Sequence, residues 1–400
     1  MRFAKQTMPW FIAAAWLLVF TLPLQSAPRV PPSGDTVVER LPDGDLASRD
    51  RRLRATELAR DPTNLILALR VARIDIGEGQ RRADPRFLGR AEAALAPWIA
   101  LAQPPPPVLL LRGVLRQSAH DFDAALSDLD TVIADKAADA ALKTQAHLTR
   151  AVVHQVRGDY DLATADCAAA AAMVPRLAAL ACLAGSASLT GRARATMAAL
   201  ERFALAGSDQ DDRSSRVWAL TVLGEIAGRL DDTTLADRAF LAARGLAPDD
   251  TYLLAAHADL MLDTGRAAEV ISLLTSRARV DPLLLRLIEA HRQQGTADPV
   301  LESDLALRFE TSRRRGDATH QREEARFMLH VRDDTPAALR LAEANWRVQR
   351  EPADASILLE AAAAGHVPDR AAPVVAWMDK NHVEDRGLQA GIARLRDGQP

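Results

Sequence analysis

A chain of 400 residues, 48% hydrophobic and 26% charged, carries enough apolar material for a sizeable packed core. Its formal charge of −3 leaves no basic excess for gripping a phosphate backbone, so nucleic acid is excluded as the main ligand. Aromatics are only 4%, and no Val-, Ile- and Thr-rich run alternates as a strand does, so the fold class is read as all-α with helices approaching through small side chains.

In chain order, Arg2 and Lys5 precede an apolar run from Met8 to Leu24, followed by Gln25, Ser26 and Ala27. That is the layout of a secretory signal peptide over residues 1–27. An apolar stretch of about seventeen residues sits at the lower limit for crossing a bilayer. Pro9 and Pro23 bound it, so cleavage is expected, although Gln25 stands where a small residue is preferred; the other reading keeps the segment as an inner-membrane anchor. Losing Arg2 and Lys5 takes the net charge from −3 to about −5. Residues 28–46, with Pro28, Pro31, Pro32, Gly34, Pro42 and Gly44, are too poor in periodic apolar residues to pack and read as a linker.

From 47 to 400 the helical pattern has no compositional break, which suits one extended array. Residues 49–98 read as a trailing helix ending at Asp61-Pro62, then a helix pair whose turn is enlarged between Gly79 and Pro85. Pro104 to Pro107 forbid helix and reset the chain before Val108. Between Leu142 and Pro175 the grammar is clear: Ala151 in a first helix, Gly158-Asp-Tyr160 at a junction, Ala163, Cys167 and Ala170 down one stripe of a second helix, and a closing proline. It recurs in Gly113, Phe122, Ala125, Leu129 and Val132, in Gly224, Ala236, Phe240, Ala243 and Pro248, and more weakly in Ala258, Gly265, Leu274 and Pro282. Pro248 and Pro282 stand thirty-four residues apart, the period of a stacked-helix array.

In this pattern the chain resembles the tetratricopeptide repeat family, most clearly over 108–282 and in degenerate form over 49–107 and 283–400. Residues 298–332 suggest a further pair turning at Gly316-Asp, and Asp385 to Arg396 a capping helix. The resemblance implies a right-handed superhelical solenoid of about eight antiparallel helix pairs. It also implies an inner groove, lined by first helices, that binds a partner's peptide or helix. The groove positions it assigns are Gln145, Leu148, Val152 and Gln155, then Trp218, Thr221, Glu225 and Arg229, then Tyr252, Ala255, Asp259 and Asp263, with Trp218 and Tyr252 as aromatic anchors or as packed residues between repeats. The lysine and asparagine set with which some family members clamp a terminal carboxylate is missing; the chain has only four lysines.

Candidate chemistry is sparse. His147 and His154 share a helix face without an HExxH or paired CxxC, and His320 with Glu323 and Glu324 fits helix-surface ion pairs. Asp121, Asp123, Asp159, Asp161, Asp231 and Asp232 flank turns where carboxylates cap helices. The basic clusters at Arg51, Arg52, Arg54 and at Arg313 to Arg315 read as solvated faces. No phosphate-cradling or nucleophile-turn motif is present, and no catalytic residue, metal or cofactor is expected. Cys167 and Cys182 lie either side of Pro175, so two helices folding back there bring them to similar heights; a disulfide and two buried thiols are both compatible. The functional expectation is a non-enzymatic, periplasmic protein-binding scaffold or assembly factor. The alternative is an anchored subunit regulating an inner-membrane complex, with the membrane touched only through the N-terminal segment.

Overall fold

The structure, a computed structural model, describes residues 46–207, 211–317 and 319–396. The signal peptide and all but the last residue of the linker lie outside the described residues. Backbone contacts divide the chain into Met1–Asp50 and Arg51–Pro400. Of the first unit only residues 46–50 are described, as the opening of helix α1 (Leu46–Arg60). No helix among the described residues is long and apolar enough to cross a membrane.

The second unit is all helix, with no strand among the described residues. Its helices follow as pairs: α2 (Leu65–Arg82) with α3 (Pro85–Ile99), α4 (Pro106–Ser118) with α5 (Phe122–Ala134), α6 (Ala140–Arg157) with α7 (Tyr160–Ala170), and α8 (Arg176–Ala187) with α9 (Ala193–Leu200). Then come α10 (Arg213–Arg229) with α11 (Thr233–Leu246), α12 (Thr251–Asp263) with α13 (Ala267–Leu274), α14 (Asp281–Gln293) with α15 (Pro299–Arg314), α16 (Gln321–His330) with α17 (Thr335–Val348), and α18 (Pro352–Ala364) with α19 (Ala372–Asn381). A final helix, α20 (Arg386–Arg396), packs on α18. Each first helix also touches the first helix of the next pair, so α2, α4, α6 and their successors form one continuous face. Nine pairs result among the described residues, where the sequence suggests about eight.

Small residues set the closeness within pairs. Ala151, Ala163 and Ala170 are fully buried and Tyr160 nearly so. Glycine in the first helix faces a large side chain of the second: a Cβ added at Gly113 would stand 3.1 Å from Leu129, and one at Gly224 only 2.6 Å from the Phe240 ring. Gly224→Ala is therefore expected to cost about 2 kcal/mol by overpacking. Gly77→Ala, where no atom lies within 4 Å, should be neutral or stabilising by up to about 1 kcal/mol. Equal urea midpoints for the two variants would contradict this account of the packing.

Several boundary expectations are corrected. Helix α2 runs on through Gly79 to Arg82, so its turn is only Ala83 and Asp84, with Ala83 in the left-handed region at φ 48°. The proline run does not exclude helix: Pro106 and Pro107 open α4, at positions whose amide hydrogens a helix leaves unbonded anyway. Pro282 likewise sits in the first turn of α14, starting the next pair and not closing a helix. Residues 298–332 do form two helices, but α15 ends one pair and α16 begins the next, so Gly316 joins pairs. Of the turn aspartates, Asp232 accepts from the Leu235 amide, whereas Asp121 and Asp159 occupy the cap position without a capping bond. Much of the capping falls to residues that sequence reading passed over: Asn64, Asp84, Asp139, Asp212, Asp250, Asp298 and Asp334.

Candidate functional site

The first-helix face from α10 to α18 carries a connected set of charged side chains. Tyr252 of α12 donates its hydroxyl to Glu225 Oε1 of α10 at 2.5 Å, and the residue is 57% exposed. About two helical turns further along α12, Asp259 receives Arg286 of α14 through two bonds of 3.0 and 2.8 Å and Arg326 of α16 through a third of 2.7 Å. Arg326 also grips Glu289 of α14 with two bonds of 2.7 Å. His330 of α16 then links Glu289, at 3.1 Å, to Glu360 of α18, at 2.9 Å. Arg322 ties α16 to Glu351 and Asp354 at the start of α18.

This connectivity fixes the curvature. Packed neighbours sit about 8–10 Å apart, so two helices separated by a third lie roughly twice that distance apart in a flat stack. The direct bond from Arg326 on α16 to Asp259 on α12, across α14, fits a face that curves inward. It also places the network on the face shared by the first helices.

The electrostatics follow from these partners. Burial opposes ionisation of Asp259, but Arg286 and Arg326 outweigh it and hold the carboxyl at about 2. Burial pushes the His330 imidazolium toward neutrality, yet Glu289 and Glu360 raise it to about 9. A group raised in this way adds stability that is complete below its unfolded pKa near 6.5 and is lost as pH climbs through about 9. Asp263, exposed at the end of α12, has the opposite surroundings: partial desolvation first, then the nearby carboxylates Asp259, Glu360 and Glu289, raise it to about 6, with Arg326 only partly compensating. Its ionised form is therefore penalised in the folded state, and stability is gained as pH falls through about 6 toward the unfolded value. Asp263→Asn should raise the melting temperature at pH 7.5 and leave it nearly unchanged near pH 3.5, where the carboxyl is protonated in the folded state and mostly protonated in the unfolded one. The same gain at both pH values would show that the charge is not responsible.

The groove positions read from sequence separate into two groups. Tyr252, Glu225, Asp259 and Asp263 lie on this concave wall. The others have structural engagements or lie elsewhere. Gln155 donates to the Cys182 carbonyl at 2.8 Å and to Ser186 Oγ at 3.2 Å. Thr221 is buried and bonds to the Val217 carbonyl, Ala255 is buried, and Arg229 donates to Ser188 Oγ. Leu148 and Trp218 pack against the small cluster of Ala151, Cys167 and Cys182, so Trp218 is a packed residue between repeats. Val152 is half-buried and Gln145 is exposed on α6, outside the charged network.

Cys167 and Cys182 form a disulfide that ties α7 to α8, with Cα atoms 5.6 Å apart. His147 and His154 both turn toward Asp166: His147 Nδ1 is 2.7 Å from it and His154 Nε2 is 3.9 Å away. Among the described residues no group of three His, Cys, Asp or Glu side chains is arranged to hold a metal.

Sequence reading missed two devices. Arg112 forks onto buried Asp128, and Arg150 onto buried Asp166, each pinning a first helix to its second. An Arg followed by Asp sixteen residues later, repeated thirty-eight residues on, was the available signal. The second device is the return of the C-terminal helices to the middle of the unit. Arg350 donates its amide to the Val156 carbonyl at 2.8 Å, Trp377 donates its indole N–H to Tyr160 Oη at 3.1 Å, and Glu384 accepts from the Ala193 amide at 2.6 Å. No local sequence signal marks contacts across such separations.

A tetratricopeptide repeat protein from Parabacteroides merdae ATCC 43184 is similar at 13% identity and a TM-score of 0.35, over 72% of this chain and 98% of that one. The TPR domain of P58(IPK) is similar at 13% identity and a TM-score of 0.22, over 88% of this chain and 93% of that one. No family model matches, and no curated protein matches. The chain is an all-α array of stacked helix pairs.

Proposed function

We propose that this array is a non-enzymatic scaffold that binds a protein segment on its concave first-helix face. The observation that supports this reading is the alignment of side chains from α10, α12, α14, α16 and α18 on one curved surface, with the exposed Tyr252 ring among them. Aromatic side chains exposed in such surfaces dominate binding energy because they remove much apolar area from water at little conformational cost. Since most charges on this wall already satisfy one another, binding is expected to centre on Tyr252 and the only partly compensated Asp263. Affinity capture with the full chain tests this: Tyr252→Ala should lose a captured partner by about thirtyfold in affinity while keeping its helical circular dichroism. Unchanged capture would move the interface off this face.

We place the protein in the cell envelope, most simply as a periplasmic protein. The apolar run from Met8 to Leu24 and the disulfide both favour an oxidising compartment beyond the inner membrane. The anchored alternative, a subunit regulating an inner-membrane complex, is separated by sequencing the mature amino terminus. A start after Ser26 or Ala27 supports export and removes the anchor; an intact Met1 does the reverse.

A further inference from the structure

The long-range contacts of the second unit share one offset. Helix α2 meets α12, five pairs further on, and Arg81 near the end of α2 is raised by Glu78 first and also by Asp249 and Asp250 at the start of α12. The turn between α4 and α5 stands beside the start of α16, where burial first and then Arg322 lower the pKa of His120. Arg350, just before α18, bonds to α6, and Trp377 of α19 bonds to α7. Glu384 and Arg386, around the start of α20, reach the first amide of α9 and the turn after α10. The offset is five or six pairs throughout, so five to six pairs complete one turn of the array and the next turn rests on its end.

That number sets the space inside. With neighbouring axes about 9 Å apart, a ring of five to six first helices is about 16 Å across, and helices about 10 Å thick leave a bore of about 6 Å. The facing walls are close enough to sense each other. Glu351 of α18 raises the Tyr252 hydroxyl of α12, after Glu225 and burial, and Glu360 of α18 raises Asp263, after desolvation and Asp259. An extended chain, whose backbone is about 5 Å across, matches such a bore. A helix of about 10 Å or more does not.

Charge then selects among extended chains. The first helices of successive pairs run in one direction, so α12, α14, α16 and α18 finish at the same mouth. There Asp263, Glu289, Glu360 and Asp333 outnumber His330 and Arg292. The carbonyl ends of the helices add negative potential at the same place. We propose that the first helices form a channel that takes its protein partner as an extended segment bearing lysine or arginine, entering end first at this mouth, and that it excludes a helical segment. This proposal rests on the concave-face reading above and narrows it to one kind of partner.

The test uses the full chain and two fluorescent probes of equal charge: a linear peptide of alternating lysine and serine, and a stapled helix of lysine and alanine. The linear probe should bind at least about tenfold more tightly than the stapled one. Asp263→Asn should weaken it by about threefold, as expected for one partly exposed charge. A peptide of residues 28–45, with four carboxylates against two arginines, should not compete. Equal binding of the two probes, weakened alike by Tyr252→Ala, overturns the channel and leaves concave binding standing; equal binding untouched by Tyr252→Ala removes both. Binding of neither probe, or tighter binding of the 28–45 peptide, also overturns the proposal. A ligand-free measurement checks the width. The native cysteines are bonded to each other, so Tyr252→Cys introduces a single free thiol. It should react with a small methanethiosulfonate at least about a hundredfold faster than with the same group carried on a stapled helix. Equal rates would show an open face and overturn the channel.

Discussion

Arg326→Ala is expected to destabilise the array by about 3 kcal/mol, one of the two largest single effects foreseen for this protein. Its guanidinium makes three bonds of 2.7 Å, one to Asp259 and two to Glu289, and Glu289 is only 6% exposed. Removing the cation leaves those carboxylates in a partly dehydrated concavity, and the cost of an uncompensated buried charge exceeds the worth of the bonds themselves. The loss should fall at the low end for such sites, because Arg286 still holds Asp259 and His330 still holds Glu289. Repeat arrays pass stability between neighbours, so hydrogen exchange should accelerate in α12, α14 and α16 before it does in α2 to α5. Arg326→Lys should restore only part of the loss, since a single ammonium cannot reproduce the two-pronged grip on Glu289. A change below about 0.5 kcal/mol would place these carboxylates in bulk-like water.

The disulfide gives the second large effect. Cys167 and Cys182 are fully buried and separated by 15 residues, and closing a loop of that size removes about 3 kcal/mol of chain entropy from the unfolded state. Cys167→Ala with Cys182→Ala should lower the urea midpoint correspondingly, while adding a reductant to the unmodified chain during unfolding should reproduce most of the shift. Alanine is the informative replacement because serine would bury two hydroxyls beside Ala151 and Leu148. A reductant that shifts the alanine pair as much as the unmodified chain would dissociate the effect from the bond. Because the bridge joins the second helix of one pair to the first of the next, its loss should loosen the α6–α9 region first.

Much of the helix-pair pattern was legible residue by residue. Ala151, Ala163, Cys167 and Ala170, spaced by threes and fours, announce the buried stripe because helical periodicity puts them on one side of the chain. Gly224 opposite Phe240 is equally local. The capping residues were less legible, since Asp121 and Asp159 have the right type and position yet make no capping bond, while Asp139 and Asp250 do. Helix boundaries at prolines misled for a related reason: a proline that cannot continue a helix is well suited to begin one, as Pro106 and Pro282 do.

The groove residues mark where sequence reasoning runs out. Tyr252, Asp259 and Asp263 lie on one wall because helical spacing along α12 requires it. That Trp218 packs inward while Tyr252 stays exposed depends on how neighbouring pairs rotate against one another, which no single-helix pattern records. By itself the sequence determined the all-α class and the small-residue pairing, because these are set by contacts between residues near in the chain; the thirty-four-residue period did not hold, since successive first helices begin between 30 and 41 residues apart. The tertiary structure alone decided the inward curve bridged by Arg326, the partners that hold His330 charged and Asp263 protonated to an unusual pH, and the return of Trp377 to Tyr160. Each of those depends on small rotations between pairs, which accumulate along the array until residues hundreds of positions apart meet.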